Sequence, residues 1–364
     1  MSFTKEPIGP WARVPSTPGG NDPGRTPGMS AGDASFLVTE IARALEPAVG
    51  EVEVEGLRRL TGGASRETWA FDATDTKGVR HELILRRDFP GGAAQNPDIL
   101  AGRDDAMDRA GEFDLLKALH GRGLPVPRPL ALPASSELEG SFIMERVPGE
   151  SRPHVLVRDY AQVTGEGSLA WQLGRILASI HALGETDLPP IPQRQSNEKL
   201  EIVRVLLDRG PARPGLELAW SWLAENRPAE GDLVLVHGDY RTANYIVGPD
   251  GIEAIIDWEF SHLGDRHEDL AFVCMRAWRF GADGREASGV GSREELHRGY
   301  VEAGGLPPDE ALLHYCDILA HLFAAAVFMM RAVQFEEGSE RSLEGAAIGR
   351  RLAEIEYDLL DLLD

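Results

Sequence analysis

Residues 233–270, which read LVLVHGDYRTANYIVGPDGIEAIIDWEFSHLGDRHEDL, decide the fold and the chemistry of this chain. The apolar run at 233–236 is typical of a strand, and it ends in the polar loop HGD at 237–239. Two further largely apolar runs, 245–247 and 252–256, flank a Gly-Pro-Asp-Gly turn. The pattern therefore predicts a strand, a polar loop and a β-hairpin.

The register of this hairpin follows from its turn. A turn over residues 248–251 pairs Val247 with Ile252 and, two residues further along, Tyr245 with Ala254. Cross-strand partners lie side by side in a hairpin, so the residues just outside the two strands are predicted to emerge at the same end.

Three polar residues are brought to that end: Asn244, Asp257 and, on the facing loop, Asp239. Two carboxylates and a carboxamide are hard oxygen donors, which suit Mg²⁺ that keeps some of its waters and bridges to phosphate. A lone Asp at such positions more often closes a turn or caps a hairpin. The ordered set favours a metal and nucleotide site instead.

The order H-x-D-x-x-x-x-N, followed by an apolar hairpin that ends in Asp, is that of the kinase catalytic and metal-binding loops. Here it stands as HGD at 237–239 with Asn244, IDWE at 256–259 and GDRHEDLA at 264–271. These motifs closely resemble the aminoglycoside phosphotransferase and choline-kinase-like family of small-molecule kinases. The resemblance covers roughly residues 50–280.

The resemblance implies an α+β, two-lobed protein-kinase-like fold, with a small antiparallel-sheet N-lobe and a mainly helical C-lobe. It implies an enzyme that transfers the γ-phosphoryl group of ATP or GTP to a hydroxyl of a small molecule. In that family the Asp of HGD takes the proton of the acceptor hydroxyl, which here is Asp239. The Asn and the second Asp hold Mg²⁺, which here are Asn244 and Asp257.

A glycine-rich stretch lies between two predicted strands, 51–60 and 67–72, and its residues are Gly62, Gly63, Ala64 and Ser65. Glycines at such a place let the backbone approach phosphates, and the placement resembles the phosphate-covering loop of the family. Taken alone, the stretch reads as a hairpin turn. The later motifs favour the phosphate-binding interpretation.

This chain departs from the kinase pattern at the third strand, where kinases carry a phosphate-binding lysine. The strand 81–85 runs into Arg86-Arg87, and none of the four lysines of the chain lies on it. A subset of the family resembles this chain in carrying L-R-R there, and this resemblance favours Arg86, although alternation alone leaves the face open.

Glu112, on a predicted helix at 110–120, is placed like the family glutamate that pairs with the cation, although a solvated face is the simpler reading of a single Glu.

The passage from the first lobe to the second follows a predicted strand at 141–146. In the family its backbone hydrogen-bonds adenine, which here implies Glu145, Arg146 and Val147. The predicted organisation is a flexible Pro/Gly-rich tail at 1–32, a nucleotide-binding lobe at 33–146 and a catalytic and substrate-binding lobe at 147–364. Apolar residues at helical spacing predict that the first lobe opens with a helix at 33–47.

Composition limits the other possibilities. The net charge of −22 argues against a nucleic-acid partner, which needs a basic footprint. The start of the chain has no signal-peptide pattern and the most apolar run, 318–330, is short, so no membrane partner is predicted. Two cysteines in apolar surroundings favour a reducing cytoplasm. The acidic segment from residue 336 onward favours a cationic acceptor, although solvated helical faces explain it more simply.

Three alternatives to a kinase of aminoglycoside-like or other hydroxylated metabolites stay open. The missing strand lysine is compatible with an inactive nucleotide-binding module, but the retained Asp239 argues against it, because a binder needs no base. Protein phosphorylation is disfavoured by the HGD form and by the absence of an APE motif. A kinase of hydroxyacyl thioesters is the third, since no motif in the C-terminal lobe is diagnostic of an acceptor.

Overall fold

The computed structural model describes residues 31–60, 67–88, 107–135, 138–194, 196–229, 233–338 and 343–364. Residues 1–30 of the tail predicted at 1–32 lie outside them. So does the glycine-rich stretch Gly62, Gly63, Ala64 and Ser65. The first described element is helix α1 (Ala31–Val49). It begins two residues before the predicted helix and continues through Pro47, which lies in the last turn.

A five-stranded antiparallel sheet forms the body of the N-terminal lobe, in the order β1-β2-β3-β5-β4. Its strands are β1 (Val52–Arg59), β2 (Glu67–Asp75), β3 (Arg80–Arg87), β4 (Pro129–Ala131) and β5 (Ser141–Glu145). One face is covered by α1, whose buried Leu37, Ile41 and Leu45 share an apolar cluster with strand residues such as Leu83 and Leu85. Leu83 and Leu85 alternate with residues of the other face.

The opposite face of the sheet looks towards helix α2 (Arg109–Gly121) and the C-terminal lobe. Ile84 lies on this face, in one continuous core with Leu115 and Leu116 of α2 and with the buried residues of the C-terminal lobe. Because Arg86 is two residues after Ile84, it shares this face. The sheet therefore aims Arg86, and not Arg87, between the lobes.

The C-terminal lobe is mainly helical. A short helix α3 (Pro153–Val155), continued by a π-helical turn (Leu156–Tyr160), leads into the longer helices. These are α4 (Leu169–His181), α5 (Ser196–Arg209), α6 (Pro214–Glu225), α7 (His267–Phe272), α8 (Arg293–Glu302), α9 (Glu310–Glu337), α10 (Leu343–Arg350) and α11 (Leu352–Asp361). Among the described helices, α9 alone is long and apolar enough to cross a membrane, but 67% of its most apolar window is buried within the lobe, as befits a core helix.

Two small β-elements carry the polar motifs. Strand β6 (Val234–Val236) pairs antiparallel with β9 (His262–Gly264), which the sequence pattern did not predict. Strands β7 (Tyr245–Gly248) and β8 (Gly251–Ile255) form the hairpin. A backbone bond of 2.9 Å from Glu150 N to Val247 O ties the start of the C-terminal lobe to this hairpin.

The predicted hairpin register is right near the turn and wrong beyond it. Val247 pairs with Ile252 as expected, but Tyr245 pairs with Ile255 rather than Ala254. The shift arises from a bulge that leaves Glu253 exposed while the consecutive Ala254 and Ile255 are both buried. Strict alternation could not bury two neighbours on one strand.

A buried carboxylate, that of Glu268, supports strand β9 through His262. Glu268 of α7 forms an ion pair with Lys199 of α5, and its Oε2 lies 3.1 Å from His262 Nε2. Burial alone raises the pKa of Glu268, but Lys199 and His262 outweigh it and lower the pKa to about 2. The ionised form is therefore favoured in the folded protein.

We expect Glu268→Gln to reduce the free energy of unfolding at neutral pH by about 2 kcal/mol, because it leaves the partly buried Lys199 with an uncompensated charge. A group with a depressed folded-state pKa stabilises above its unfolded pKa and loses that contribution as the pH falls through the folded one. The difference between wild type and variant should therefore shrink below its neutral value between about pH 4.5 and about pH 2. Denaturant titrations over this range measure it, and a difference independent of pH would contradict the assignment.

Candidate active site

The HGD loop is built around a buried histidine. His237 Nδ1 accepts the N–H of Asp239 at 3.2 Å, which leaves Nε2 to donate to the carbonyl oxygen of Ile256 at 3.1 Å. The His237 ring also packs against Trp258, with centroids 4.6 Å apart. Gly238 has φ +82°, and a Cβ there would lie 2.5 Å from the carbonyl oxygen of Phe260. Only glycine fits this turn, so the loop is fixed against the hairpin end.

Asp269 braces the loop from behind. Its carboxylate accepts the backbone N–H groups of His237 at 2.7 Å and Gly238 at 3.0 Å. His181 Nε2 lies 3.3 Å from the same carboxylate, and its Nδ1 lies 3.0 Å from the Tyr300 hydroxyl. Asp269 lies inside α7, in its first turn, so it braces the loop rather than capping the helix.

Asp239 lies at the tip of the loop with both carboxylate oxygens engaged. Oδ1 accepts from Arg241 Nε at 2.7 Å, and Oδ2 accepts from Asn244 Nδ2 at 2.6 Å. Burial raises the pKa of Asp239, and Arg241 acts in the opposite direction. The structure thus places Asp239 beside Asn244, as the sequence predicts, and adds Arg241, which the sequence analysis did not single out.

Asn244 and Asp257 meet at the end of the hairpin. The N–H of Ile256 donates to the carbonyl oxygen of Asn244 at 2.9 Å, so Asp257 is the next residue after Asn244's cross-strand partner. Asp257 has φ +71° and Ala243, just before Asn244, has φ +98°. Left-handed backbone is uncommon outside glycine and clusters at functional sites. One of these positions is the predicted metal ligand Asp257, and the other directly precedes the second ligand, Asn244.

The donor set fits a magnesium ion that is bound mainly through phosphate. Asn244 uses its Nδ2 on Asp239, so its amide oxygen is the atom left for a cation, and Asp257 supplies a carboxylate. Within the described ranges no three His, Cys, Asp or Glu side chains form a metal-binding group. Mg²⁺ typically takes one or two protein side chains and completes its shell with waters and substrate phosphates. Asn244 and Asp257 match that pattern.

Arg86 reaches the same place from the N-terminal lobe. Its Nη2 lies 2.7 Å from Asp257 Oδ1 and its Nη1 lies 3.5 Å from Glu112 Oε1. Burial lowers the pKa of Arg86, but the carboxylates of Asp257, Glu112 and Glu259 outweigh it, and the pKa stands above its ordinary value. Arg87 points to the other face, where its Nε lies 3.2 Å from Glu67 Oε2.

A second buried arginine joins this network. Arg109 precedes Glu112 by one helical turn and forms an ion pair with it. Arg109 Nη2 also lies 3.7 Å from Glu259 Oε2, in the IDWE motif, and the backbone N–H of Met107 donates to the carbonyl oxygen of Glu259 at 2.7 Å. Helix α2 is thereby tied to the segment that follows the hairpin. The i, i+3 spacing of Arg109 and Glu112 was the available signal for this residue.

In the segment that joins the lobes, the described hydrogen bonds use the backbone N–H groups of Glu145 and Arg146 but not that of Val147. The N–H of Glu145 donates to the carbonyl oxygen of Arg128 and the N–H of Arg146 to that of Glu82, both at 2.9 Å. Val147 is followed by Pro148, and among the described hydrogen bonds none uses the N–H of Val147. Of the three predicted adenine-contacting residues, Val147 therefore retains a backbone donor.

One arginine, Arg241, lies directly beside Asp239. Its guanidinium stacks on Trp278, 4.6 Å from the ring centroid. A pocket of about 410 Å³ begins at Ala277, next to Trp278 in sequence, and its lining carries two arginines, Arg276 and Arg351, and two acids, Asp283 and Glu354.

Three acids of the C-terminal segment are paired with arginines: Glu354 with Arg351, Glu356 with Arg213 and Asp358 with Arg276.

Comparison with known proteins gives a consistent family. Residues 56–306 match the phosphotransferase enzyme family. An aminoglycoside 3'-phosphotransferase from Streptomyces fradiae is 26% identical over 205 residues, which cover 50% of this chain and 72% of that protein. Acyl-CoA dehydrogenase family member 10 of Mus musculus is 25% identical over 327 residues, which cover 83% of this chain and 29% of that protein. The chain thus spans about 30% of the length of its acyl-CoA dehydrogenase relatives.

The solved structures agree on the fold. A spectinomycin phosphotransferase in complex with ADP and spectinomycin superimposes with a TM-score of 0.56 at 16% identity, covering 88% of this chain and 97% of that one. The predicted α+β, two-lobed protein-kinase-like fold is confirmed. Since the family match extends over more than half of the sequence, the chain belongs to the phosphotransferase enzyme family.

Proposed function

We propose that this chain is a Mg²⁺-dependent kinase that transfers the γ-phosphoryl group of ATP or GTP to a hydroxyl of a small molecule. The observation that carries the proposal is the convergence of Asp239, Asn244, Asp257 and Arg86 at one end of the hairpin, between the lobes. A base, two metal ligands and a phosphate-binding cation are the parts that such a reaction needs. The metal and nucleotide assignments are part of the proposal.

Each residue has a defined task in this scheme. Asp239 orients the acceptor hydroxyl and takes its proton as the oxygen–phosphorus bond forms and the bond to the nucleoside diphosphate breaks. Asn244 and Asp257 would hold Mg²⁺, which neutralises phosphate charge when it is bound. Arg86, oriented by Glu112, binds phosphate oxygens through its fork of N–H donors. Positioning and fixed charge supply most of the acceleration.

The nucleotide lies between the lobes in this proposal. The backbone at Glu145, Arg146 and Val147 contacts the base, with the N–H of Val147 as donor, and the stretch Gly62, Gly63, Ala64 and Ser65 covers the phosphates. The ADP complex of the spectinomycin phosphotransferase, which shares the fold, supports a nucleoside phosphate as the donor.

A hydroxyacyl thioester is the acceptor class that specific observations favour. The relatives with acyl-CoA dehydrogenase names support an acyl thioester, which carries anionic phosphates when the thiol is coenzyme A. Arg241, stacked on Trp278 beside Asp239, gives an anionic acceptor a cation next to the reacting hydroxyl, whereas a polycationic aminoglycoside would meet that charge with its own. The cationic acceptor suggested by net charge alone is therefore the weaker candidate.

A matched acceptor screen tests the proposal. Hydroxyacyl-CoA thioesters, the corresponding free hydroxy acids and aminoglycosides are each incubated with Mg-ATP or Mg-GTP, and nucleoside diphosphate release is measured against the Asp239→Asn protein as blank. We expect release with the thioesters. Binding of Mg-nucleotide without turnover on any hydroxylated compound would leave the inactive nucleotide-binding module as the better account, and labelling of a peptide array would favour a protein kinase.

The two neighbouring arginines provide an internal control for the cation. We expect Arg86→Met to lower kcat/KM by about ten- to a hundredfold, since one charge-assisted contact is worth roughly 1.5 to 3 kcal/mol. Arg87→Met removes the same charge from the opposite face of β3 and should be much milder. Steady-state kinetics on both proteins, with thermal unfolding to verify folding, decide between them. A greater loss in Arg87→Met would reverse the assignment.

A further inference from the structure

Both carboxylate oxygens of Asp239, the proposed base, accept hydrogen bonds from neighbouring side chains. Asp239 is the group that must receive a proton, yet Oδ1 accepts from Arg241 Nε at 2.7 Å and Oδ2 accepts from Asn244 Nδ2 at 2.6 Å. Each oxygen keeps a second lone pair, but the Arg241 cation on Oδ1 acts to lower the pKa of Asp239, so the carboxylate becomes a stronger base when this donor moves away. Asn244 is tied to the backbone carbonyl of Asp239 by a second bond of 2.9 Å, so Arg241 is the partner that is easier to displace.

Arg241 has its own support away from Asp239. Its Nη1 donates to the carbonyl oxygen of Thr242 at 3.2 Å, and its guanidinium stacks on Trp278. The side chain is 23% exposed, against 13% for Asp239. A guanidinium held by stacking can turn about its long stem without losing that platform. It is therefore accessible from solvent while it covers Asp239.

We propose that Arg241 is a positioning residue that keeps Asp239 from activating water until a negatively charged oxygen group of the acceptor draws its guanidinium away. This inference rests on the proposed kinase function and deepens it, because it requires an anionic group near the reacting hydroxyl. Arg241 thus couples recognition of the acceptor to exposure of the base. The gain is protection against wasteful hydrolysis of the nucleotide.

The suppressed side reaction is defined chemically. A water oxygen forms a bond to the γ-phosphorus, the bond from that phosphorus to the bridging oxygen of the nucleoside diphosphate breaks, and the water proton passes to Asp239 Oδ1. Acceptor phosphorylation has the same bond changes with the acceptor hydroxyl in place of water. Both need Oδ1, so the Arg241–Asp239 contact controls both.

The test needs no identified acceptor. Hydrolysis of Mg-ATP is measured for the wild type, Arg241→Met and Arg241→Gln, with and without millimolar acetate at constant ionic strength set by chloride. Arg175→Met is the matched control, because Arg175 also stacks on a tryptophan, 4.7 Å from the Trp171 ring. Binding of Mg-ATP is followed in parallel by thermal shift, and Asp239→Asn supplies the background rate.

We expect both Arg241 variants to hydrolyse Mg-ATP several-fold faster than the wild type, while Arg175→Met matches it. Acetate should accelerate the wild type and leave the Arg241 variants unchanged. Rates in the Arg241 variants at or below that of the wild type, with the Mg-ATP shift retained, would overturn the inference and assign Arg241 to the transferring phosphoryl group. Absence of a Mg-ATP shift in the wild type would overturn the proposed function itself, and this inference with it.

Discussion

Replacing Asp239 by asparagine is expected to lower kcat for acceptor phosphorylation by about 10²- to 10⁴-fold, the usual worth of a positioned general base. The carboxamide has nearly the shape of the carboxylate, but it cannot take the proton. It can still accept the N–H of Arg241 through its oxygen, so the loop should keep its conformation. The loss should therefore appear in turnover rather than in folding.

The control for this variant is nucleotide binding. The variant loses the side-chain bond from Asn244, but Asn244 still donates to the backbone carbonyl of residue 239, which keeps its amide oxygen oriented, so Mg-ATP affinity should change little. Isothermal titration with Mg-ATP, beside stopped-time assays of acceptor phosphorylation, separates the two effects. A variant that keeps turnover within tenfold of the wild type would remove Asp239 from the role of base.

Asp257→Asn should abolish the effect of magnesium on nucleotide binding and lower turnover by at least about a hundredfold, since even residues that only support a ligand cost ten- to a hundredfold. Asparagine is the informative substitution because residue 257 has φ +71°, which Asn tolerates and Ala does not. Arg86 keeps its pairing with Glu112 in the variant. Folding should therefore be preserved.

The measurement is thermal unfolding with ATP alone and with Mg-ATP. For the wild type, Mg-ATP should raise the unfolding temperature beyond the value with ATP alone, since a ligand that binds only the folded state stabilises it. The Asp257→Asn protein should show no difference between the two. An unchanged magnesium-dependent shift would place the metal elsewhere.

The sequence predicted the fold where local periodicity carries the information. Helices α1 and α2 follow the spacing of their apolar residues, and the turn at 248–251 was sufficient to pair Val247 with Ile252. The pairing of Tyr245 was wrong because the bulge beside Glu253 depends on which residues the C-terminal lobe buries. Burial by distant parts of the chain leaves no local signal.

The same limit applies to the site. The motif order predicted Asp239, Asn244 and Asp257, because their spacing along the chain is short. Arg86 and Asp257 are 171 residues apart, and only the folded structure shows that they touch. Arg109 was not singled out although its i, i+3 spacing to Glu112 was a signal, and Arg241 has no signature until its partner is known.

Net charge is a weak guide to the acceptor for a related reason. A net charge of −22 and an acidic C-terminal segment suggested a cationic acceptor, yet three of those acids are paired with arginines. Two of these arginines, Arg213 and Arg276, lie far from their partners in sequence. Beside Asp239 lies the cation Arg241, stacked on Trp278, although the chain as a whole is acidic. Net charge describes the whole surface and not one site.

The fate of the γ-phosphoryl group tests the central claim most directly. Phosphorus NMR of the wild-type protein with Mg-ATP and the best acceptor from the screen should show one phosphate monoester on that acceptor for each ADP formed, and no monoester with Asp239→Asn. ADP accompanied only by inorganic phosphate, or bound Mg-ATP that never yields a phosphorylated acceptor, would contradict the assignment of this chain as a small-molecule kinase.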